Sequence, residues 1–97
     1  MPGPRRRSRS IVSLFMTLLT LDLTALGTRH VVSDVVAPPG APEWAHRLEE
    51  IGFIPGEQVA VMARGAIGGD PLVVRVGQST FALRRAEAAC VHLQAPA

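Results

Sequence analysis

The sequence predicts a mainly β protein, a small barrel of about five short strands with one short helix inserted between the first two. Ninety-seven residues are enough for one small domain, which buries only about 60% of the surface that its unfolded chain exposes. Most apolar segments alternate with polar residues at the period of two that is typical of strands, and glycine or proline separates them. Apolar residues recur at helical spacing in one segment, 43–51.

The N-terminal part of the chain is basic and is expected to lie outside the domain. Four arginines precede residue 16, where there is no acidic residue. The apolar run Ile11–Leu21 is similar to the core of a secretory signal, but Asp22 ends it and no Ala-x-Ala site follows. The run is also shorter than the roughly 18 residues that span a bilayer. We expect residues 1–15 to be a disordered or spurious extension, with Met16 as the natural start and 16–97 as the domain. A surface-binding basic tail and a true signal remain as alternatives.

The charge of the predicted domain argues against a nucleic-acid partner. The formal net charge of the chain is +2, and removing the four N-terminal arginines leaves −2 for residues 16–97. A mildly acidic domain has no basic stripe with which to neutralise phosphates. The single cysteine, Cys90, excludes an internal disulfide and a zinc site built from several cysteines, so nothing indicates an oxidising compartment.

The first long strand is predicted over Thr28–Val36, after a turn signal at Leu26-Gly27-Thr28. The segment 37–42 contains three prolines, which remove hydrogen-bond donors and break regular structure. Alternation along the strand predicts two faces, with Val31 and Val35 on one and His30, Val32 and Asp34 on the other.

The helix is predicted over Glu43–Ile51, where Pro42 and Glu43 suit the N-terminal end. Gly52 can adopt the left-handed conformation that closes the last turn. Pro55-Gly56 suits a type II turn with glycine at the position of positive φ. The apolar stripe of the helix consists of Trp44, Leu48 and Ile51, and the residues off the stripe are His46, Arg47, Glu49 and Glu50.

After this turn the period of the pattern changes from that of a helix to that of a strand. Val59, Val61 and Ala63 alternate with Gln58, Ala60, Met62 and Arg64, which predicts a half-buried strand. Gly65–Pro71 is predicted as a glycine-rich loop. The remaining predicted elements are strands at Leu72–Val76 and Thr80–Leu83, joined by a hairpin turn, then one helical turn at Arg84–Ala89 and a last strand at Cys90–Leu93.

No motif in the sequence indicates catalysis. Gly-x-Ser-x-Gly, Walker-type and His-Glu-x-x-His patterns are absent from it. The glycines of 65–69 lack the Lys-Ser/Thr pair and the following helix that a phosphate-binding loop needs. Glu49 and Glu50 are adjacent on the helix, so their side chains point about 100° apart and cannot share a substrate. We predict that the protein is not an enzyme.

The sequence gives only weak support for a metal site. Cys90 and His92 alternate on one predicted strand, so their side chains could converge on a soft or borderline metal. Two ligands do not make a site, however, and a buried cysteine in a small domain is usually a packing residue. The other imidazoles, His30 and His46, come from separate elements. We predict no dedicated metal site and no cofactor.

A surface for binding a protein partner is the best supported functional feature. Tryptophan and arginine are frequent anchors of protein interfaces, and loops on a rigid scaffold often carry function. An alternative role for the tryptophan is to close the end of the barrel. The predicted contact residues are Trp44, His46, Arg47 and Glu50 on the helix, and Ile67 and Asp70 in the glycine-rich loop.

Two sequence blocks together resemble the FeoA family of small bacterial ferrous iron transport proteins. The first is Leu48–Val59, with its glycine stop and Pro-Gly turn; the second is Gly69–Gly77, followed by Phe81–Arg84. The resemblance runs from about Leu19 to Leu93 and implies an SH3-like barrel. The residues that carry the motif are Leu48, Gly52, Pro55, Gly56, Gly69, Pro71 and Leu83, and those that fit the family's leading segment, which packs at the start of the barrel, are Leu23, Leu26 and Gly27.

This resemblance implies an accessory or regulatory protein of bacterial ferrous iron uptake that is located in the cytoplasm. It would act by contact with the large membrane permease FeoB, through the cytosolic GTPase portion of that protein, without spanning the membrane itself. Transient contact with a transition metal is compatible with this role. The alternative is a metal-sensing regulatory module related to the C-terminal domain of metal-dependent repressors. A membrane-surface protein that uses the basic and apolar N-terminal segment is a further alternative.

Overall fold

The computed structural model describes residues 19–94. The predicted extension, 1–15, and the predicted start at Met16 lie outside these residues. The elements are a short 3-10 turn at Leu21–Leu23, β1 (His30–Val35), α1 (Glu43–Ile51), β2 (Gln58–Ile67), β3 (Asp70–Val76), β4 (Ser79–Leu83), α2 (Arg85–Ala88) and β5 (Val91–Leu93). The predicted class, mainly β with one short helix between the first two strands, is confirmed.

The five strands form one antiparallel sheet in the order β4-β3-β2-β1-β5. β2 is the longest strand, and β3 and β4 follow it as a meander. The chain then returns through α2 so that β5 pairs with β1, on the far side of the sheet. Just before the 3-10 turn, Thr20 forms an isolated bridge with His92 of β5. The two ends of the described chain therefore meet at the same edge.

The core lies inside the curved sheet and is made almost entirely of aliphatic side chains. Phe53 is the one aromatic residue of the described chain that is fully buried, and it follows directly after α1. Trp44, Ile51 and Phe81 pack on the core from its periphery. The largest fully buried side chains are those of Leu21, Val32, Leu48, Phe53, Val59, Val61, Leu72, Val74 and Val91.

The predicted faces of β1 are wrong, because the strand contains an irregularity. Its register with β5 shifts between Val32 and Asp34. A bulge of this kind puts an extra residue into one strand and interrupts the alternation of side chains. Val32 is fully buried, while Val31 and Val35 are only half-buried. The leading segment also differs from expectation: the buried residue is Leu21, whereas Leu23 and Leu26 are exposed.

The predicted glycine-rich loop, Gly65–Pro71, is mostly strand. β2 continues to Ile67 and β3 begins at Asp70, and these two residues pair across the hairpin. The turn itself contains only Gly68 and Gly69, which both have positive φ. Glycine is the residue that adopts such angles without a steric penalty, and consecutive glycines at positive φ favour two-residue hairpin turns.

The predicted helix and the turn after it are confirmed. α1 spans Glu43–Ile51, and Gly52 ends it with φ of 127°. The amide of Phe53 donates to the carbonyl of Leu48 at 3.0 Å, which brings the phenyl ring back toward the core. In the next turn the amide of Glu57 donates to the carbonyl of Ile54 at 3.0 Å, and Gly56 has φ of 91°. These values fit the predicted type II turn.

Gly52 and Gly56 are expected to be required for stability. A Cβ atom at Gly56 would meet nothing within 4 Å, and one at Gly52 would lie 3.6 Å from Val76 Cγ2, so the cost at both sites comes mainly from the backbone. We expect Gly52→Val and Gly56→Val each to lower the free energy of unfolding by about 1–3 kcal/mol, as measured by urea denaturation. A variant that keeps full stability but loses ferrous iron uptake would show that the glycine has a functional role instead.

In the part of the chain that the structure describes, no helix is long and apolar enough to cross a membrane.

Candidate functional site

The outer face of α1 carries exposed polar residues, as the helical spacing predicts. His46 and Glu50 are separated by one turn, and His46 Nε2 lies 3.9 Å from Glu50 Oε1. Both side chains are exposed, so this contact is worth little to stability and leaves both groups accessible to a partner. Trp44 and Leu48 have a different role. Leu48 is fully buried and Trp44 is half-buried against the core, so the tryptophan serves mainly to anchor the helix.

Arg47 joins α1 to α2. Its Nη2 atom forms an ion pair with Oε2 of Glu87, a carboxylate that is largely buried. The other oxygen of Glu87 accepts a hydrogen bond at 2.9 Å from the backbone amide of Arg84, at the start of α2. Glu87 therefore both caps its own short helix and receives the arginine of α1. Ion pairs that include a partly buried, hydrogen-bonded carboxylate are more stabilising than exposed pairs.

The tip of the β2–β3 hairpin is joined to the same short helix. Asp70 Oδ1 accepts a hydrogen bond at 3.0 Å from the backbone amide of Arg85, the first residue of α2. The guanidinium group of Arg85 in turn donates to the carbonyl of Gly68 at 3.2 Å. These bonds hold the turn against α2. Beside them, the side chain of Ile67 is 87% exposed, the highest value among the exposed large apolar residues of the described chain.

The predicted contact residues therefore fall into two groups that α2 connects. One group is the outer face of α1, and the other is the hairpin tip; each is bonded to a different residue of α2. We call this the α1–hairpin surface, and define it by His46, Arg47, Glu50, Ile67 and Asp70. Arg47 and Asp70 of this surface are bonded to α2, while the side chains of Ile67, His46 and Glu50 project from it.

The sequence does not indicate the residues of α2 that connect the two groups. Arg47 and Glu87 are 40 positions apart, and Arg85 and Asp70 are 15 apart. A carboxylate three residues after the start of a short helix is a signal for a cap, which could have identified Glu87 as a structural acid. Its pairing with Arg47 depends on how the chain returns over the sheet, and no local pattern predicts that.

Cys90 and His92 do not share an environment. The Cys90 thiol lies before β5 and donates to the carbonyl of Ala86 at 3.4 Å. His92 instead faces β1, where its Nδ1 atom lies 3.6 Å from Asp34 Oδ1. Burial raises the pKa of the Cys90 thiol, and the carboxylates of Glu87 and Asp22 raise it further. A protonated thiol is a poor metal ligand. Among residues 19–94, no group of three or more histidines, cysteines and acidic residues is arranged to hold a metal.

Comparison with known proteins gives one family and several similar structures. The sequence profile of the family described as FeoA domain matches residues 19–95. A similar structure is that of FeoA from Stenotrophomonas maltophilia complexed with zinc, described as a procaryotic SH3 domain protein and a candidate activating factor of bacterial ferrous iron transport. It is 42% identical with a TM-score of 0.71, and the match covers 78% of this chain and 89% of that one. A search of curated protein sequences finds no match.

Two further structures extend this comparison. FeoA from Chlorobium tepidum is 29% identical with a TM-score of 0.66, and the match covers 81% of this chain and 71% of that one. A manganese-dependent transcriptional repressor is 18% identical with a TM-score of 0.66, covering 80% of this chain and 41% of the repressor. The repressor shares the fold alone. The predicted SH3-like barrel is confirmed by these similarities.

Proposed function

This chain belongs to the FeoA family, and on that premise we propose that it is an accessory protein of bacterial ferrous iron uptake that acts by contact. Its partner is the FeoB permease, and the contacted part is the cytosolic GTPase portion. The protein acts in the cytoplasm through the domain 16–97, and residues 1–15 take no part. It catalyses no reaction itself. Fe²⁺ is the cargo of the system, and any contact that the protein makes with a transition metal is transient.

The observation that carries this proposal is the exposure of Ile67 on a fixed support. Exposing a large aliphatic side chain to water is unfavourable, and burying it fully is worth about 1.5–3 kcal/mol. Two bonds to α2 hold the turn beside it in place, so docking this side chain would require little further ordering. A rigid apolar anchor with charged residues around it is a common arrangement at the centre of a protein interface.

Charged groups of the same surface can determine which partner fits. Glu50 and His46 are exposed on α1, and neither is bonded to another element of the described chain. Complementary charges across an interface raise the rate of association and exclude incorrect partners. Arg47 is less suited to this task because it is paired with Glu87. Reversing its charge would place two carboxylates together and perturb the fold, so it is a poor choice for a test of binding.

The test uses the two projecting residues. We expect Ile67→Glu combined with Glu50→Arg to abolish capture of the permease's GTPase domain in a pull-down, in the presence and absence of guanine nucleotide, and to abolish ferrous iron uptake in cells. Leu23→Glu is the matched control, because Leu23 is also exposed and apolar but lies outside the α1–hairpin surface. Exposed substitutions usually change stability by no more than about 0.5 kcal/mol, so all variants should melt normally.

A second variant tests the competing metal hypothesis. We expect Cys90→Ala with His92→Ala to keep ferrous iron uptake near normal, once the stability lost with the buried Cys90 side chain is allowed for. If uptake survives Ile67→Glu with Glu50→Arg but collapses in a folded Cys90/His92 variant, the contact proposal is wrong. Cys90 and His92 would then be the residues that matter for uptake.

A further inference from the structure

A groove with two arginines lies on the outer face of the sheet and shares no lining residue with the α1–hairpin surface. It has a volume of about 380 Å³ and crosses the segment before β1, then β2 and β3. Arg29 and Arg75 line it, together with Ala60, Met62 and the glycines at 27 and 77. This volume is at the lower end of the roughly 300–1,000 Å³ that is typical of binding pockets.

The register of the strands explains why the groove forms here. Ala60 of β2 pairs with Arg75 of β3. On the other side His30 pairs with Val59, so continuing the antiparallel register places Arg29 beside Ala60. The three residues form one row across the outer face, in which a small side chain lies between two long ones. Ala60 lines the groove and is only 6% exposed.

The arginines of the groove have no acidic partner within residues 19–94. Arg47 pairs with Glu87, and Arg64 and Arg85 donate to backbone carbonyls. In contrast, within the described residues the guanidinium group of Arg29 makes no hydrogen bond, and that of Arg75 makes only a long one of 3.4 Å to the carbonyl of Gly77. The carboxylate of Glu57 lies beside Gly77, within 4 Å of where a Cβ atom there would stand, but it pairs with neither arginine. The two arginines therefore leave the groove with a local excess of positive charge on a domain whose net charge is negative. The groove is electrostatically complementary to carboxylates.

The same groove also offers an apolar contact. Met62 is 47% exposed, and the amide of Gly27 donates to the carbonyl of Val61 at 2.8 Å, which brings the exposed Leu26 next to β2.

Neighbouring strands are about 4.8 Å apart, so the backbones of Arg29 and Arg75 are separated by about 10 Å. An extended polyproline II segment advances about 3.1 Å per residue, so carboxylates at positions i and i+3 lie about 9 Å apart on one side.

We propose that this groove binds an extended acidic segment of a protein partner, in which two carboxylates three residues apart contact Arg29 and Arg75. An apolar residue of the segment contacts Met62 and Leu26. This inference goes beyond the permease contact proposed above and does not depend on it. Different residues carry it, and its test contains no permease.

The probe is a fluorescein-labelled peptide with the sequence Glu-Pro-Leu-Glu-Pro-Leu-Glu, and the control peptide has glutamine in place of each glutamate. We expect the acidic peptide to raise fluorescence anisotropy on titration with the full chain, and the glutamine peptide not to. Binding should weaken as the salt concentration rises, because the contacts are charged and exposed. Arg29→Gln and Arg75→Gln should each weaken binding about fivefold, the upper end for an exposed ion pair.

Arg84→Gln is the matched control, because it removes the same charge from an exposed arginine outside the groove. It should bind the acidic peptide as the unaltered chain does. Thermal melting of every variant establishes that it is folded. The proposal is overturned if both peptides bind equally, if Arg84→Gln weakens binding as much as Arg29→Gln and Arg75→Gln do, or if no binding is detected. Inorganic phosphate that displaces the acidic peptide at equimolar concentration would also overturn it, since the groove would then be an anion site.

Discussion

Gly65→Val is expected to unfold the β2–β3 hairpin locally and to lower the free energy of unfolding by about 3 kcal/mol, the upper end for overpacking. A Cβ atom at this position would lie 2.2 Å from the carbonyl oxygen of Asp70 and 2.5 Å from its carbonyl carbon. Both atoms belong to the backbone of the facing strand, so no side chain can rotate to make room. The two strands would have to separate. Urea denaturation monitored by circular dichroism measures the loss.

Gly40→Val is the control for this change. A Cβ atom at Gly40 would meet nothing within 4 Å, and its φ is not in the region reserved for glycine. We expect its stability to stay within about 0.5 kcal/mol of the unaltered chain, as for most surface substitutions. Equal stability of Gly65→Val and Gly40→Val would contradict the claim that the backbone of Asp70 leaves no room for a side chain at position 65.

The same substitution connects the fold to the proposed contact. Separating the strands at Gly65 would move Asp70 away from the amide of Arg85, to which it is bonded at 3.0 Å. The support that holds Ile67 in position would then be lost. We therefore expect the folded fraction of Gly65→Val to bind the permease poorly even at low temperature.

Features of the fold that depend on local sequence could be predicted. The bounds of α1, the stop at Gly52 and the turn at Pro55-Gly56 follow from capping preferences and from the allowed angles of glycine and proline. Such preferences act within a few residues. They hold whatever the rest of the chain does, which is why the segment from Glu43 to Gly56 has the predicted form.

Features that depend on pairing between distant strands could not be predicted. The bulge near Val32 interrupts the expected alternation of β1, and it lies where β1 pairs with β5, a strand about 60 residues later in the chain. The glycines of 65–69 favour a loop in the sequence, because glycine permits backbone angles that other residues rarely adopt. The true role of Gly65 is to allow close approach within a hairpin, and that requires knowledge of the residues opposite it.

The candidate site was predictable to a similar extent. The exposed face of α1 and the exposure of Ile67 follow from helical spacing and from position near a turn. The bonds from α2 that support these residues could not be predicted, because they join residues far apart in sequence. The row that places Arg29 and Arg75 on either side of Ala60 could not be predicted for the same reason. The net charge of the domain also does not predict the groove, because a domain of net charge −2 can still carry a local positive region.

Phe53→Ala is expected to destabilise the domain by about 3–5 kcal/mol, the usual cost of removing a buried aromatic ring. Phe53 is fully buried, and its amide is bonded to the carbonyl of Leu48 at the end of α1. The ring therefore joins the helix to the core. Since a small domain has only about 5–15 kcal/mol of stability, this loss is a large fraction of the total. Urea denaturation provides the measurement, and the permease binding proposed for the α1–hairpin surface should decrease as the folded fraction falls.

Ile54→Ala is the matched control, because Ile54 is the next residue and is about half exposed. Its loss should cost about 1 kcal/mol or less, since little buried surface is removed. Phe53→Leu, which keeps most of the apolar contact, should fall between the two. Equal stability of Phe53→Ala and Ile54→Ala would mean that α1 is held mainly by Trp44 and Leu48, and that the ring of Phe53 adds little. The predicted order of the three variants therefore tests which side chain fixes the helix that presents His46 and Glu50.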